Sequence, residues 1–269
     1  MSRLRIFIKI GGSILTDKTQ PEALNLPALQ TVAATIAAAQ REQPELELLI
    51  GHGGGSFGHY WAARYGTQRG AHDAEGWHGV ARVADAMGRL NRTVVDALLE
   101  AGVNAVGVQP MASAQAEAGA LRELATPVIE RMLGVGLVPV VYGDVVLDAA
   151  QGAAIISTEG LFAFLAPRLQ PQRIVLVGEA GVYTADPRRD PDAVRIAQIT
   201  AANIETVLEQ TGASHGTDVT GGMAAKVRQM WQLVQSAENL EVLLIGVDEE
   251  ALRAALHGEE VRAGTLIRR

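Results

Sequence analysis

The chain has 269 residues, 48% of them hydrophobic, so it can bury a substantial core, and its composition excludes a disordered protein. It contains no cysteine, which excludes a disulfide scaffold, a cysteine metal site and a cysteine nucleophile. The net charge of −7 argues against nonspecific nucleic-acid binding, and no apolar run reaches the roughly 18 residues of a membrane span. We therefore expect a cytoplasmic protein with neither nucleic-acid nor membrane partners.

Hydrophobic patterning predicts strands that alternate with helices along the whole chain. The first half gives strands over 4–10, 46–50, 105–108 and 137–142, and helices over 26–41, 78–101 and 126–133. The second half gives a hairpin over 145–157, strands over 173–177 and 241–246, an edge strand over 265–267, a loop motif over 181–187, and helices over 159–169, 201–210, 223–237 and 249–256. This alternation predicts an α/β protein whose mostly parallel central sheet is covered on both faces.

Three glycine-rich turns lie at the ends of these predicted elements. The central turn, 51–59, contains five glycines in nine residues, and the others lie at 9–13 and 220–223. Because glycine has no Cβ, successive main-chain N–H groups there can converge on phosphate oxygens. We expect Ser56 to cap the helix after the central turn and His59 to lie about one turn further on. One such turn would indicate little, but three predict a protein that binds several phosphates.

Three lysines accompany the glycine turns. Lys9 precedes the first turn, Lys18 lies in the loop beyond it, and Lys226 lies one helical turn after the third. A single lysine is usually a solvated surface group, but lysines at phosphate-binding turns are what phosphoryl transfer requires. Asp144 and Glu159 follow strand ends. Each is a candidate to orient lysines or to help hold magnesium; the alternative is that it only caps a helix. The chain has neither a P-loop nor a dinucleotide-binding glycine pattern.

These motifs resemble the amino acid kinase superfamily. The matching runs are 9–13 with 16–18, 51–59, and 218–223 with Lys226, and the likeness extends from about residue 4 to residue 265. Within the superfamily the run Gly-His-Gly-Gly-Gly-Ser-Phe-Gly-His is most similar to the isopentenyl phosphate kinases, with His59 as the distinguishing residue. The resemblance implies an αβα sandwich, ATP as co-substrate with Mg²⁺, isopentenyl phosphate as the small-molecule acceptor, and a homodimer.

The resemblance also implies roles for individual residues. The implied catalytic groups are Lys9, Lys18, His59, Glu159 and Lys226, with no protein metal ligand among them. The implied nucleotide-binding residues are Lys9, Gly11, Gly12, Ser13, Gly55, Glu179, Gly181, Gly222 and Lys226. The implied substrate-binding residues are Gly54, His59, Thr158, Val80, Val83, Met87 and Ile156. We expect one domain over 1–269, with about 1–145 binding the acceptor and about 146–269 binding the nucleotide.

Two segments depart from the pattern of the superfamily. Residues 157–160 read Ser-Thr-Glu-Gly where such kinases usually read Ser-Gly-Asp-Asp, so Glu159 takes the place of an aspartate that organises lysines. Residues 177–181 read Val-Gly-Glu-Ala-Gly where relatives usually read Thr-Asp-Val-Asp-Gly. Two alternatives stay open: a fosfomycin-type phosphonate kinase, which resembles this family and also carries a histidine at the end of the central loop, and a phosphate-ligand sensor that has lost catalysis, to which the altered segment at 157–160 points. An N-acetylglutamate-type or uridylate kinase is less favoured, because the sites of those enzymes give no reason for a histidine at position 59.

Overall fold

A large central sheet organises the fold. The structure, a computed structural model, describes residues 4–17, 20–187, 189–212 and 222–269. Within those residues the strands are β1 (Arg5–Ile10), β2 (Thr16–Asp17), β3 (Ala23–Leu24), β4 (Glu47–His52), β5 (Ala105–Gly107), β6 (Ala114–Glu117), β7 (Ala120–Leu124), β8 (Val138–Tyr142), β9 (Asp144–Asp148), β10 (Gly152–Ile156), β11 (Arg173–Val177), β12 (Val182–Tyr183), β13 (Arg195–Ile196), β14 (Gln198–Ile199), β15 (Glu241–Ile245) and β16 (Thr265–Ile267).

The central sheet is mostly parallel, as the sequence predicts. Its strand order is β14-β16-β15-β11-β1-β4-β8-β5. The strands from β15 through β5 are mutually parallel, whereas β16 is antiparallel to β15 and pairs in parallel with β14. A separate sheet has the order β10-β9-β6-β7 and contains the predicted hairpin, β9 and β10.

Helices pack on both faces of the central sheet. In the described ranges they are α1 (Gly12–Leu15), α2 (Leu26–Glu42), α3 (Gly55–Tyr65), α4 (Ala74–Glu100), α5 (Pro110–Ser113), α6 (Thr126–Gly134), α7 (Thr158–Leu169), α8 (Ile204–Gly212), α9 (Gly222–Ser236) and α10 (Glu249–Leu256). Strand β1 shows why both faces are covered. Phe7 packs into one apolar core with residues of α7 and α9, whereas Ile6 and Ile8 pack into another with residues of α2 and α10. Successive strand residues point to opposite faces, so a strand this apolar must be buried on both.

The parallel arrangement brings the first two glycine turns together at one edge of the sheet. Strands β1 and β4 are neighbours, and the turns that follow them at Gly11 and Gly53 therefore start side by side. Strands β8 and β11 end at the same edge, on either side of this pair. Ligands of open α/β sheets bind beyond the carboxyl ends of the strands, so this edge is where a site is expected.

Several predicted boundaries and contacts are wrong, among them the start of α8, which lies at Ile204 and not at residue 201. Helix α4 begins at Ala74 and not at residue 78, because the Asp73 carboxylate caps it by accepting a hydrogen bond from the Gly76 N–H at 2.8 Å. Ser56 does not cap α3: the N-cap is Gly54, and Ser56 lies inside the first turn. Strand β16 is not an edge strand, since β14 pairs with its outer side.

The hairpin of β6 and β7, together with the short helix α5 before it, was not predicted. Its segment is rich in alanine and glutamate, which have low strand propensity, and half of its side chains point to solvent. Pairing of β6 with β9 stabilises it instead, and this pairing joins segments that are distant in the sequence. Local patterning therefore gives no signal for it.

Candidate active site

A cleft of about 290 Å³ lies at the carboxyl ends of the central strands. The predicted site residues that line it are Lys9, Gly11, Gly12, Ser13, Gly54, Gly55, His59, Val83, Met87, Ile156, Thr158, Glu159, Glu179, Gly222 and Lys226. Two others do not line it: Val80 packs in the core between α3 and α4, and Gly181 lies against Thr265. Lys18 lies outside the described residues. Residues 220 and 221 of the third glycine turn also lie outside the described residues. The described site residues predicted at the three turns meet in one cavity.

Lys9 forms an ion pair with Glu159 in the wall of the cleft. The distance from Lys9 Nζ to Glu159 Oε1 is 2.6 Å, and the Lys9 and Glu159 side chains are only 15% and 11% exposed. Burial raises the pKa of Glu159, but the Lys9 ammonium outweighs burial, so the pKa of this carboxyl lies below its ordinary value. Glu159 is therefore a carboxylate at neutral pH and holds the lysine at the end of β1.

This pair predicts how substitutions of Glu159 affect activity. Glu159→Gln keeps the size of the side chain but removes its charge, so Lys9 loses its ionic partner, and we expect a fall in kcat of about tenfold or more. Glu159→Asp restores the charge on a shorter side chain and should recover most of the loss. The measurement is steady-state kinetics of both variants. An active Gln variant beside an inactive Asp variant would show that Glu159 acts only at the start of α7.

Lys226 forms the second lysine–glutamate pair of the cleft. It lies one turn into α9, and its Nζ contacts the Glu179 carboxylate, which extends from the loop after β11. Both residues line the cleft, with Glu179 the more exposed of the two. An N-terminal helical turn and a lysine together attract anions. This end of the cleft is therefore suited to a phosphate that replaces Glu179 at the lysine.

The first and central glycine turns are in direct backbone contact. A Cβ on Gly12 would lie 2.5 Å from the Gly55 nitrogen, so only glycine fits there. Gly55 itself has a left-handed φ of +47°, which favours glycine. The backbones of the two turns are accordingly as close as packing permits. Groups bound at one turn lie next to groups bound at the other.

Buried polar residues beneath the cleft hold the strand ends together. The Thr158 hydroxyl donates to the His52 carbonyl at 2.6 Å and accepts from the Gly143 N–H at 3.1 Å, so it links the ends of β4 and β8 to the start of α7. His52 is fully buried, contacts Asn91 at 3.2 Å and stacks on Tyr142. Burial lowers the pKa of His52 to about 4, so the ring is neutral at pH 7. The Thr158 hydroxyl is fully engaged in this framework.

Asp144 contributes a second buried carboxyl to the cleft wall. It accepts hydrogen bonds from the main-chain N–H groups of Val145 at 2.9 Å and Met111 at 3.3 Å. Burial nevertheless raises the pKa of Asp144 to about 7, since these two bonds offset only part of the desolvation. Asp144 is therefore only partly ionised near neutral pH, whereas Glu159 is a carboxylate.

The α3–α4 end of the cleft combines His59 with an apolar wall, and Asp144 lines the cleft next to that wall, because it pairs with Ile156 in the hairpin. His59 is exposed on α3 and lines the cleft beside Gly54. The adjacent wall consists of Val83 and Met87 from α4 together with Ile156 from β10. This end can hold a small anion at His59 and an alkyl group against the wall.

Sequence reasoning missed several residues of the cleft. Gln229, Ile155 and Ala62 also line it. Gln229 follows Lys226 by three positions on α9, a spacing that places two residues on one helix face, so this residue could have been found. Ile155 and Ala62 carry no polar signal and are brought in only by tertiary packing.

The carboxylates of the cleft do not form a protein-only metal site. No group of three or more His, Cys, Asp or Glu side chains among the described residues is arranged to hold a metal ion. Glu159 and Glu179 are each paired with a lysine. Mg²⁺ commonly binds through one or two carboxylates plus substrate phosphates, so the residues present are compatible with a metal ion that enters with the nucleotide.

Comparisons with known proteins agree with this geometry. Residues 4–245 match the model of the amino acid kinase family, and the chain belongs to that family. It is 37% identical to the isopentenyl phosphate kinase of Methanothermobacter thermautotrophicus, over 97% of this chain and 98% of that protein, and 38% identical to that of Haloferax volcanii, over 98% of each. An X-ray structure of isopentenyl phosphate kinase has a TM-score of 0.82 at 33% identity, with 98% of this chain and 99% of that chain covered.

Proposed function

We propose that the protein transfers the γ-phosphoryl group of ATP to isopentenyl phosphate. The observation that carries the proposal is a single cleft with two lysines at glycine turns on one side, and His59 beside an apolar wall on the other. The near full-length similarity to isopentenyl phosphate kinases supports this choice of acceptor. In such a reaction the protein mainly positions two phosphates and neutralises charge.

On the nucleotide side, we assign Lys9 and Lys226 to the ATP phosphates, together with the first glycine turn. Lys226 would exchange Glu179 for phosphate oxygens as the nucleotide binds, whereas Glu159 would keep Lys9 in place beside them. Gly55, Glu179 and Gly222 also line the cleft and are assigned to nucleotide binding as well. Lys18 keeps its predicted role in stabilising the transferring group.

On the acceptor side, we assign His59 and the Gly54 backbone to the phosphate of isopentenyl phosphate. This phosphate is already an anion and attacks through its own oxygen, so no strong general base is required. Val83, Met87 and Ile156 would contact the hydrocarbon tail. Thr158 supports this end through its hydrogen bonds to the strand ends, and not through a free hydroxyl.

The remaining expectations rest on the family resemblance. We propose that Mg²⁺ enters with ATP, held chiefly by phosphate oxygens, and neutralises part of their charge. We also propose a cytoplasmic homodimer in which about 1–145 supply most of the acceptor site and about 146–269 most of the nucleotide site. Within the described residues, no helix is both long and apolar enough to cross a membrane.

A substrate panel tests the proposed function. A buried five-carbon tail contributes about 0.8 kcal/mol per CH₂-sized group, roughly 3–4 kcal/mol in all, or a few hundred-fold in affinity. Fosfomycin carries only a small methyl-substituted epoxide and gains a smaller part of this contribution. We therefore expect kcat/KM with isopentenyl phosphate to exceed that with fosfomycin by at least about 100-fold, measured by ATP consumption.

Two results would contradict the proposal in different ways. A higher kcat/KM with fosfomycin than with isopentenyl phosphate would show that the protein is a kinase but that the proposed acceptor is wrong. Binding of ATP and isopentenyl phosphate without turnover would indicate a phosphate-ligand sensor, for which the altered segment at 157–160 would be the first explanation to examine.

A further inference from the structure

The helix that carries His59 lacks a side-chain cap of its own. Its N-cap is Gly54, which has no side chain, so the first-turn N–H groups of α3 need partners from elsewhere. The Ser56 N–H donates to the hydroxyl of Thr16 at 2.9 Å. Thr16 follows α1, forty residues earlier in the chain than Ser56. Thr16, which belongs to the segment of the first glycine turn, thus caps α3, the helix that begins in the central turn.

The same hydroxyl also bonds to the first glycine turn. Thr16 Oγ1 donates to the Gly12 carbonyl at 2.9 Å, so one oxygen accepts from the central turn and donates to the first. Thr16 is only 3% exposed, and it does not line the cleft. A Cβ on Gly55 would collide with this hydroxyl. The bridge is therefore buried directly behind the contact between the two turns.

We propose that Thr16 is a positioning residue that sets the separation of the donor and acceptor phosphates. This inference rests on the proposed function, in which the first turn binds ATP and the central turn binds the acceptor. In-line transfer requires the reacting atoms at a near-attack distance of about 3–3.5 Å, and a displacement of about 1 Å can cost a hundredfold in rate. Thr16 touches neither substrate, so it acts only through the spacing of the two turns.

The bridge predicts a separation of kcat from KM. Thr16→Val keeps the shape of the side chain but removes both hydrogen bonds, so each turn can still bind its own phosphate while their spacing relaxes. We expect kcat to fall about 10- to 100-fold with both Michaelis constants within about threefold of the wild-type values. Thr16→Ser retains the hydroxyl and should keep kcat within about threefold. Should Thr16→Val not fold, Thr16→Ala removes the hydroxyl without placing a methyl group against the Gly12 carbonyl.

Thr265 provides a matched control. It is fully buried, and its hydroxyl likewise accepts from one N–H, that of Val182 at 2.7 Å, and donates to one carbonyl, that of Ile196 at 2.6 Å. It does not line the cleft. Thr265→Val loses the same number of hydrogen bonds and should lower the melting temperature while leaving kcat within about twofold. An equal loss of kcat in Thr265→Val and Thr16→Val would overturn the inference, as would a Thr16→Val variant with wild-type kcat.

Amide hydrogen exchange separates this inference from the proposed function. The Ser56 amide should exchange faster in Thr16→Val than in the wild type, whereas those of Phe57 and Gly58, which bond to the Gly54 carbonyl, should change less. Unchanged Ser56 exchange would overturn the bridge itself. If the wild type does not phosphorylate isopentenyl phosphate, the proposed function fails. The kcat test of Thr16 then uses whichever acceptor in the panel the wild type phosphorylates, and a wild type with none overturns the positioning role.

Discussion

His59→Ala is expected to lower kcat/KM for isopentenyl phosphate by about 100- to 1,000-fold, and to abolish the use of fosfomycin as well. His59 lines the part of the cleft that we propose binds the acceptor, and Val83, Met87 and Ile156 line the cleft as well. In other enzymes, removal of one hydrogen-bond donor that stabilises a reacting oxyanion lowers kcat by about 100- to 1,000-fold. The Michaelis constant for ATP should change by less than about threefold. Initial rates over a matrix of both substrate concentrations measure these values.

His72→Ala is the matched control for this prediction. His72 is an exposed histidine that does not line the cleft, so its removal should leave all kinetic constants unchanged. His59→Gln, which keeps a neutral donor, should fall between the wild type and the alanine variant. If His59→Ala keeps more than a tenth of the wild-type kcat/KM, the acceptor phosphate does not bind at His59.

Lys226→Met is expected to raise the Michaelis constant for ATP by about tenfold or more and to slow turnover. The methionine side chain fills similar space, but the charge near the start of α9 is lost, and a hydrogen bond to a charged group contributes about 1.5–3 kcal/mol. The Michaelis constant for the acceptor should stay close to that of the wild type, because Lys226 lies on the Glu179 side of the cleft. Calorimetric titration with ATP provides an independent measure of binding.

Arg228→Met controls for loss of a positive charge from the same helix. Arg228 is exposed and does not line the cleft, so ATP binding should be unaffected. Lys226→Arg should recover part of the affinity, since it restores the charge with a different geometry. Full activity of Lys226→Met would mean that the third glycine turn and its helix do not bind the nucleotide.

Much of the fold could be predicted because the strands of its central sheet are short and strongly apolar. Strand β11 and helix α10 have the predicted boundaries, and β1, β8 and β15 differ from them by one residue. The incorrect predictions occur where pairing with a segment distant in the sequence determines the secondary structure. Strand β6 pairs with the distant β9 and β7 pairs with β6, and Thr265 lies in a strand whose outer neighbour, β14, has only two residues. Neither interaction leaves a periodic signal in the local sequence.

Much of the cleft was predictable because glycine and lysine mark the ends of strands that a parallel sheet brings together. The exceptions have physical reasons. Gly181 follows β11 closely in sequence, but its backbone turns toward Thr265 and away from the cleft. Val80 shares the apolar stripe of α4 with Met87, yet it lies two turns earlier and packs in the core. The prediction that Ser56 caps α3 is wrong because a threonine from another segment supplies the cap. Such a partner cannot be identified from the local sequence.

The two lysine–glutamate pairs have a consequence for ligand release. Lys9 and Lys226 each carry an internal counterion, so these two ammonium groups are electrically compensated by the protein itself. In the proposed reaction, arrival of a nucleotide at Lys226 would be an exchange of one anion for another, and the displaced Glu179 carboxylate would remain tethered nearby. After transfer, Glu179 would compete with the phosphates of the nucleotide product for the Lys226 ammonium. This competition would lower the affinity for nucleotide substrate and product alike, and would so limit how tightly the product is retained.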